Sequence, residues 1–293
     1  MSNQIPIHDF TKDDDTSTPF DLLPLEQRES YDTSIPHRHN YYEIFLFIKG
    51  GGVHEIDFEV FPIESGSVHF VSPGQVHLVK RELDSYGFVI FFSRDFYYLN
   101  LPDKNILYEL PFLNNNTSEP ILNLNNEGFQ VFNQLAEKIK EEYESDNELK
   151  ESVIRSYLHI LLLKSKSFFD QLKGGKELKD NPSSKLIYDF KILVEKNYRT
   201  LHLVKDYADM LSTTPEQLNE ETKKVTGKTA SDIISDRIIL ETKRLLLYSE
   251  STNKEIAYFL NYDDPSHFSK FFKNKIGISP SEFRENLQEK YQI

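Results

Sequence analysis

The 293-residue chain contains no cysteine, which excludes a disulfide framework, a thiolate metal site and a cysteine nucleophile, and fits a reducing cytosol. Also missing is any apolar run near the roughly eighteen residues that a membrane-spanning helix needs. Residues 1–15 are polar and acidic, without the basic start and apolar centre of a secretory leader. A soluble, cytoplasmic protein with no membrane partner is therefore expected. Positive charge is in deficit too, the formal balance being −13. Nucleic-acid binding needs Lys and Arg to displace condensed counterions, so this balance argues against it. The distribution removes the objection without itself supporting the partner. Residues 184–293 hold 17 Lys and Arg against 17 Asp and Glu, and the whole acidic excess lies in the first 183 residues.

A chain of this length is expected to form two domains, each with its own core. Residues 20–92 read as short strands, with β-rich runs at 41–49, 53–61, 67–72 and 87–92. Gly50-Gly51-Gly52 and Pro73-Gly74 supply turns, and the spacing suits a small antiparallel barrel or sandwich. Helical spacing follows in 128–143 (Phe129, Phe132, Leu135, Ile139) and 149–172 (Val153, Tyr157, Ile160, Leu161, Phe168). The stretch KGGKELKDNPSS at 173–184 is the linker candidate. Beyond it every segment reads as helix. Thr214-Pro215-Glu216-Gln217, Thr252-Asn253-Lys254-Glu255 and Ser279-Pro280-Ser281-Glu282 each place a hydroxyl cap three residues before Glu or Gln. Asp264-Pro265 starts another helix, with Pro at the first helical position.

Two of these starts belong to a duplication. Val204-Lys205-Asp206-Tyr207-Ala208-Asp209-Met210-Leu211 precedes the helix at Pro215, and Lys254-Glu255-Ile256-Ala257-Tyr258-Phe259-Leu260 precedes the one at Pro265. Each is an amphipathic helix with a central Ala, a short turn and a second helix, the layout of a helix-turn-helix. Between them residues 231–248, with Ile234, Ile238, Leu245 and Leu246 at helical spacing, predict a spacer helix about 27 Å long. Second helices held that far apart suit successive major grooves, about 34 Å apart on one face of DNA.

The closing segments resemble the AraC/XylS family of bacterial transcription regulators. The resemblance lies in Ile256-Ala257, in Tyr262, in Ser266-His267-Phe268-Ser269-Lys270-Phe271-Phe272-Lys273 and in Gly277-Ile278-Ser279-Pro280-Ser281-Glu282-Phe283-Arg284. It implies a seven-helix domain that puts one helix of each unit into the major groove. Asn261 stands where the family usually has Gly, and Thr222 where it has Phe. The family's base-contacting positions fall on Pro215, Glu216, Gln217, Asn219 and Glu220, and on Pro265, Ser266, His267, Ser269 and Lys270. Lys223, Lys224 and Lys273 are better placed for phosphates. Glu220 departs from the basic residue often found there. It can accept from a cytosine amino group but is repelled by phosphates.

Pro36-His37-Arg38-His39-Asn40-Tyr41-Tyr42-Glu43, followed after six residues by Gly50, resembles the first cupin motif, and Gly66 with Gly74 and His77 resembles the second. The resemblance implies a cupin barrel. In cupin enzymes the positions of His37, His39, Glu43 and His77 hold a divalent metal, through imidazole and carboxylate donors suited to iron or manganese. The competing reading makes the same four groups polar contacts for a small ligand, with Tyr41, Tyr42, Phe45 and Phe70 as pocket wall and no cofactor. His54 and His69 fit neither motif and are expected to be ordinary strand residues.

The expected architecture is α+β in two domains. A polar tail (1–19) leads into a cupin-like barrel (20–125), a helical segment (126–172) resembling the family's dimerisation element, the linker (173–184) and the all-α double helix-turn-helix (185–293). The expected function is sequence-specific control of transcription, without catalysis, in response to a small-molecule effector. Double-stranded DNA is the main partner, with RNA polymerase and a second copy of the chain as further candidates. The alternative is a metal-dependent cupin enzyme with a regulatory helical tail.

Overall fold

The computed structural model of the chain describes residues 7–8, 20–25, 35–99, 106–113, 120–172 and 182–291. The described residues divide into two compact units, 7–172 and 182–291. Of the expected linker, residues 173–181 lie outside the described residues, and Pro182 already opens a helix.

The N-terminal unit contains β1 (Ile7–His8), β2 (Phe20–Pro24), β3 (Arg38–His39), β4 (Tyr42–Lys49), β5 (Gly52–Ile56), β6 (Glu59–Pro62), β7 (Ser67–Val71), β8 (His77–Arg81), β9 (Tyr86–Phe92) and β10 (Ile121–Asn123). The short helices α1 (Arg94–Tyr98) and α2 (Ile106–Glu109) follow β9, and α3 (Asn126–Tyr143) and α4 (Lys150–Leu172) follow β10. Five strands form one antiparallel sheet in the order β10-β7-β4-β9-β2, and three form a second in the order β6-β5-β8. β1 pairs in parallel with β3. The expected run 53–61 is two strands, because Asp57 takes a left-handed φ of 54°. Its carboxylate accepts from Val76 N and Gln75 Nε2, each at 3.2 Å.

Because strand side chains alternate between faces, the five-stranded sheet supports two cores. Tyr42, Ile44 and Leu46 of β4, Val68 and Phe70 of β7, and Phe88, Ile90 and Phe92 of β9 pack with Phe132, Ala136 and Ile139 of α3 and Ile154, Leu158, Leu161 and Leu162 of α4. The opposite face sends Phe45, Phe47, Val71, Val89 and Phe91 against Ile56 and Val79 of the other sheet. Strands covered on both faces lose the polar half of their alternation, as near-continuous apolar β4 does. Gly50 is required by a close approach: a Cβ there would lie 2.3 Å from the carbonyl oxygen of Ile63.

The C-terminal unit has seven helices among the described residues: α5 (Pro182–Asn197), α6 (Val204–Met210), α7 (Pro215–Thr226), α8 (Ala230–Tyr248), α9 (Asn253–Phe259), α10 (Pro265–Ile276) and α11 (Pro280–Tyr291). Central α8 is nineteen residues long, with a reciprocal capping box between Thr229 and Asp232. On it Arg237 lies 2.9 Å from Glu195 of α5 and 3.4 Å from Glu241, and fully buried Arg244 lies 3.7 Å from Glu241. Breaking a buried cluster of this kind by removing one partner strands the others without water, a cost of several kcal/mol.

Candidate DNA-reading helices and a histidine-lined interior

The helices expected to read DNA are built alike. Thr214 Oγ1 accepts from Gln217 N at 3.1 Å to cap α7, and Asp264 Oδ1 accepts from Ser266 N at 2.7 Å to cap α10. Pro follows each cap, and each helix ends at a left-handed glycine, Gly227 or Gly277. The turns before them pass through Ser212 (φ 54°) and Asn261 (φ 57°). Asn261 thus fills a left-handed position, which Asn tolerates better than most residues, and its Nδ2 donates to Thr200 O at 3.2 Å.

Burial repeats at an offset of fifty residues. Leu218 and Thr222 of α7 and Phe268 and Phe272 of α10 face inward at 0% exposure. Thr222 closes its hydroxyl onto Leu218 O at 2.6 Å, so the smaller residue leaves no bare donor in the core. Outward stand Glu216, Gln217, Glu220, Lys223 and Lys224 on α7, and Ser266, His267, Lys270 and Lys273 on α10. Pro215, Asn219, Pro265 and Ser269 are half-buried. Asn219 already has a task, its Oδ1 accepting from Ala230 N at 3.0 Å in the first turn of α8. Ser269 likewise donates to Pro265 O at 2.9 Å. Lys275, at the end of α10, pairs with Asp232 of α8 at 3.0 Å, and α8 packs on α5, α6, α7, α9 and α11. Both second helices are thereby tied to one spacer.

In the N-terminal unit, His37, His39, Glu43 and His77 come together at 1% exposure or less. The chain entering β3 exchanges backbone bonds with β8, His37 N donating to His77 O at 3.2 Å and His77 N to His37 O at 2.9 Å. His39 Nε2 lies 2.9 Å from His77 Nε2, and Glu43 Oε2 lies 3.2 and 3.3 Å from those two nitrogens. One ligand nitrogen each from His37, His39 and His77 falls within 4.8 Å of the others. His37 Nδ1 donates to Ile35 O at 3.1 Å and His39 Nδ1 to Tyr41 O at 3.0 Å. A carbonyl can only accept, so in the neutral rings both Nε2 atoms carry lone pairs. Donors about 2.1 Å from a divalent ion sit about 3.0 Å apart at an octahedral edge and about 3.4 Å apart at a tetrahedral one. The separations among His39, His77 and Glu43 match such edges, while His37 is placed only within 4.8 Å of the other two imidazoles.

Tyr41 and Phe45 share this interior, Tyr41 stacking on His39 with ring centroids 4.3 Å apart. Tyr42 and Phe70 do not. They lie on the helix-covered face, Tyr42 stacked on Phe92 and Phe70 against Phe112. Their expected place in a pocket wall is corrected by strand parity: Tyr42 is one residue from Glu43 and Phe70 one from His69.

His54 and His69 are not ordinary strand residues. Both are fully buried in the same interior. His54 Nε2 lies 3.1 Å from His77 Nδ1, His54 Nδ1 lies 3.1 Å from His69 Nδ1, and His69 Nε2 lies 3.1 Å from Ser67 Oγ. Burial holds the His69 imidazole down at a pKa of about 3, so it is neutral. The signal for both was parity: His54 shares its face with Ile56, and His69 with Val71.

Family comparisons divide the chain in the same way. A description of an AraC-like ligand binding domain matches residues 19–158, and one of a helix-turn-helix domain matches residues 207–286. The HTH-type transcriptional activator RhaS of Escherichia coli O81 (strain ED1a) is 25% identical over 252 residues, 85% of this chain and 87% of its own. RhaS of Pectobacterium carotovorum subsp. carotovorum (strain PC1) is 26% identical over 258 residues, 86% of this chain and 88% of its own. Among solved structures, ToxT from Vibrio cholerae O395 covers 92% of this chain and 98% of its own at 16% identity and a TM-score of 0.38. Among the described residues no helix is long and apolar enough to cross a membrane. With a ligand-binding domain ahead of a helix-turn-helix domain, the chain belongs to the AraC family of DNA-binding transcription regulators.

Proposed function

We propose that α7 and α10 read base sequence in successive major grooves and that the interior of the N-terminal unit senses a small effector. The observation that carries the first half is the repeat itself: two capped helices with the same buried pair and the same outward positions, tied to one spacer. Gln217, Ser266, His267 and Lys270 are the base readers, while Lys223, Lys224 and Lys273 neutralise phosphates. Asn219 acts mainly by fixing α7 to α8. The polar interior supports the second half, because side chains that could have been apolar instead converge as donors and acceptors inside a hydrophobic shell.

The protein is a cytoplasmic regulator rather than an enzyme in this reading. His37, His39, Glu43 and His77 are ligand-holding groups, with His54 and His69 beside them and an apolar shell around the whole. A second copy of the chain is the partner for α4, whose outer side exposes Ile160 (41%) and Leu163 (43%), with Leu149 (64%) just before the helix. A spacing of 3 residues keeps Ile160 and Leu163 on one helical stripe.

Duplex binding by the full chain, measured against random competitor DNA at rising salt, tests the reading. Preferential binding to a selected sequence, weakening steeply with salt, is expected. No preference over competitor at low salt refutes it. Metal-dependent turnover of a small molecule that disappears in His37→Ala and His77→Ala refutes the sensor half.

A further inference from the structure

We infer that the loop ahead of α6 and the turn between α9 and α10 form a junction that clamps the two helix-turn-helix pairs to one another, and that this junction makes the spacing between two DNA half-sites part of what the protein recognises. Arg199, Asn261 and Tyr262 are its positioning residues. The inference rests on the reading of α7 and α10 as DNA readers and goes beyond it by naming what sets their separation.

The loop, residues 198–203, is fixed to the first pair. Leu201 N donates to Asn197 O at 2.9 Å at the end of α5, and buried Tyr207 of α6 donates its hydroxyl to Leu201 O at 2.8 Å. Three contacts then reach the second pair. Asn261 Nδ2 donates to Thr200 O at 3.2 Å, the Arg199 guanidinium lies 3.9 Å from the ring centre of Phe259 in α9, and the His202 and Tyr262 ring centres lie 4.7 Å apart. Tyr262 continues into the second reader, its ring centre 5.5 Å from that of Phe268 and 5.8 Å from that of Phe271 in α10. A path of direct contacts therefore runs from α6 to α10 without passing through α8.

Two helix pairs joined only through a spacer can each rock on it. A second attachment closes a ring and removes that freedom. One base pair more or fewer between half-sites moves the second by about 3.4 Å and turns it by about 35°. A rocking pair follows part of that displacement, whereas a clamped pair must first break the junction. Asn261 serves the clamp through its side chain: the left-handed φ of 57° shapes the turn, but only the amide reaches Thr200. Arg199, Thr200 and Asn261 are exposed, and His202, Phe259 and Tyr262 half-buried, so each contact is worth little alone. A net hydrogen bond corresponds to about 2- to 13-fold in affinity, and a cation–π contact at an exposed site to about 2- to 5-fold. Broken on a wrongly spaced site and kept on a correctly spaced one, the junction adds those factors to the preference for correct spacing.

The test uses full-length protein and the duplex sequence that the wild type selects from a random pool, with its half-sites at the selected separation or with one base pair inserted or deleted between them. The readout is the ratio of affinities for selected and altered spacing. Asn261→Gly keeps the left-handed turn, since Gly adopts positive φ freely. Asn261→Asp also tolerates that backbone but cannot donate to Thr200 O. Each should lower the wild-type ratio about 2- to 13-fold, and adding Arg199→Ala should lower it a further 2- to 5-fold or about that. Urea unfolding checks that each variant is folded. Wild-type ratios in folded Asn261→Gly and Asn261→Asp overturn the inference and leave the two readers in place. A ratio relaxed by Gly but not by Asp assigns the effect to backbone freedom and overturns the junction too. If no duplex is selected over random competitor, the reading of α7 and α10 fails and the inference falls with it.

Discussion

Glu220→Lys should convert the first reader into a tighter one. Glu220 is exposed on α7 at the position that Lys270 occupies on α10, so in a docked complex it carries the wrong sign toward phosphates. Folding should be unaffected. The exchange puts Lys at an i,i+4 spacing from both Glu216 and Lys224, one favourable and one unfavourable, each about 0.2–0.5 kcal/mol. Lys224 keeps its contact with Glu221 at 3.7 Å. At DNA the side chain changes by two unit charges. An exposed charge about 4 Å from a phosphate is worth about 1 kcal/mol in water, so the exchange should give about 2 kcal/mol, or about 30-fold tighter binding at low salt. Screening reduces this once the Debye length falls to about 8 Å. One added phosphate contact should steepen the log–log salt dependence by about 0.9. Fluorescence anisotropy on the duplex preferred by the wild type, at several salt concentrations, reads both quantities. Unchanged affinity and slope in a folded variant would show that α7 does not approach the backbone there, and the pairing of Glu220 with Lys270 would fail.

Lys273→Ala should weaken all duplexes about equally, whereas His267→Ala or Lys270→Ala should change which base is preferred at particular positions; uniform loss in all three would refute the assignment of base readers. Asn219→Ala should lower unfolding free energy by about 1 kcal/mol through the lost bond to Ala230 N and leave base preference intact, and a shifted preference in a selection experiment would return Asn219 to the readers. His69, held down at about 3 from the usual 6.5, excludes a proton that the unfolded chain binds. Its stabilising contribution is therefore full above pH 6.5 and falls as pH drops toward 3, by about 1.4 kcal/mol per unit. His69→Asn should flatten the stability profile over that window by one proton's slope in urea unfolding, and an unaltered slope would contradict the assignment.

The helical half was legible because its signals are local. Thr214, Thr252 and Asp264 each announce a helix by a cap whose bond is then made, and such bonds need only neighbours in sequence. The interior was half legible. His37, His39, Glu43 and His77 stood out through motif spacing, and the structure unites them. His54 and His69 belong to no motif, and their meeting depends on strand pairing: β5 with β8 brings His54 beside His77, while β4 with β7 turns His69 inward. Tyr42 and Phe70 failed for the same reason in reverse, since composition names an aromatic wall but only parity says which face receives it. The break at Asp57 was hidden because a left-handed aspartate between two β-rich stretches has no unique sequence mark.

The central claim is that two helices of one chain read DNA together. Selection of duplexes from a random pool by the full chain, followed by backbone footprinting of the winner, tests it most directly. Two protected clusters on one face of the duplex, separated by about one helical turn or about 34 Å, are expected, one lost on disabling α7 and the other on disabling α10. A single cluster that survives loss of either helix, or no enriched sequence at all, would contradict the account.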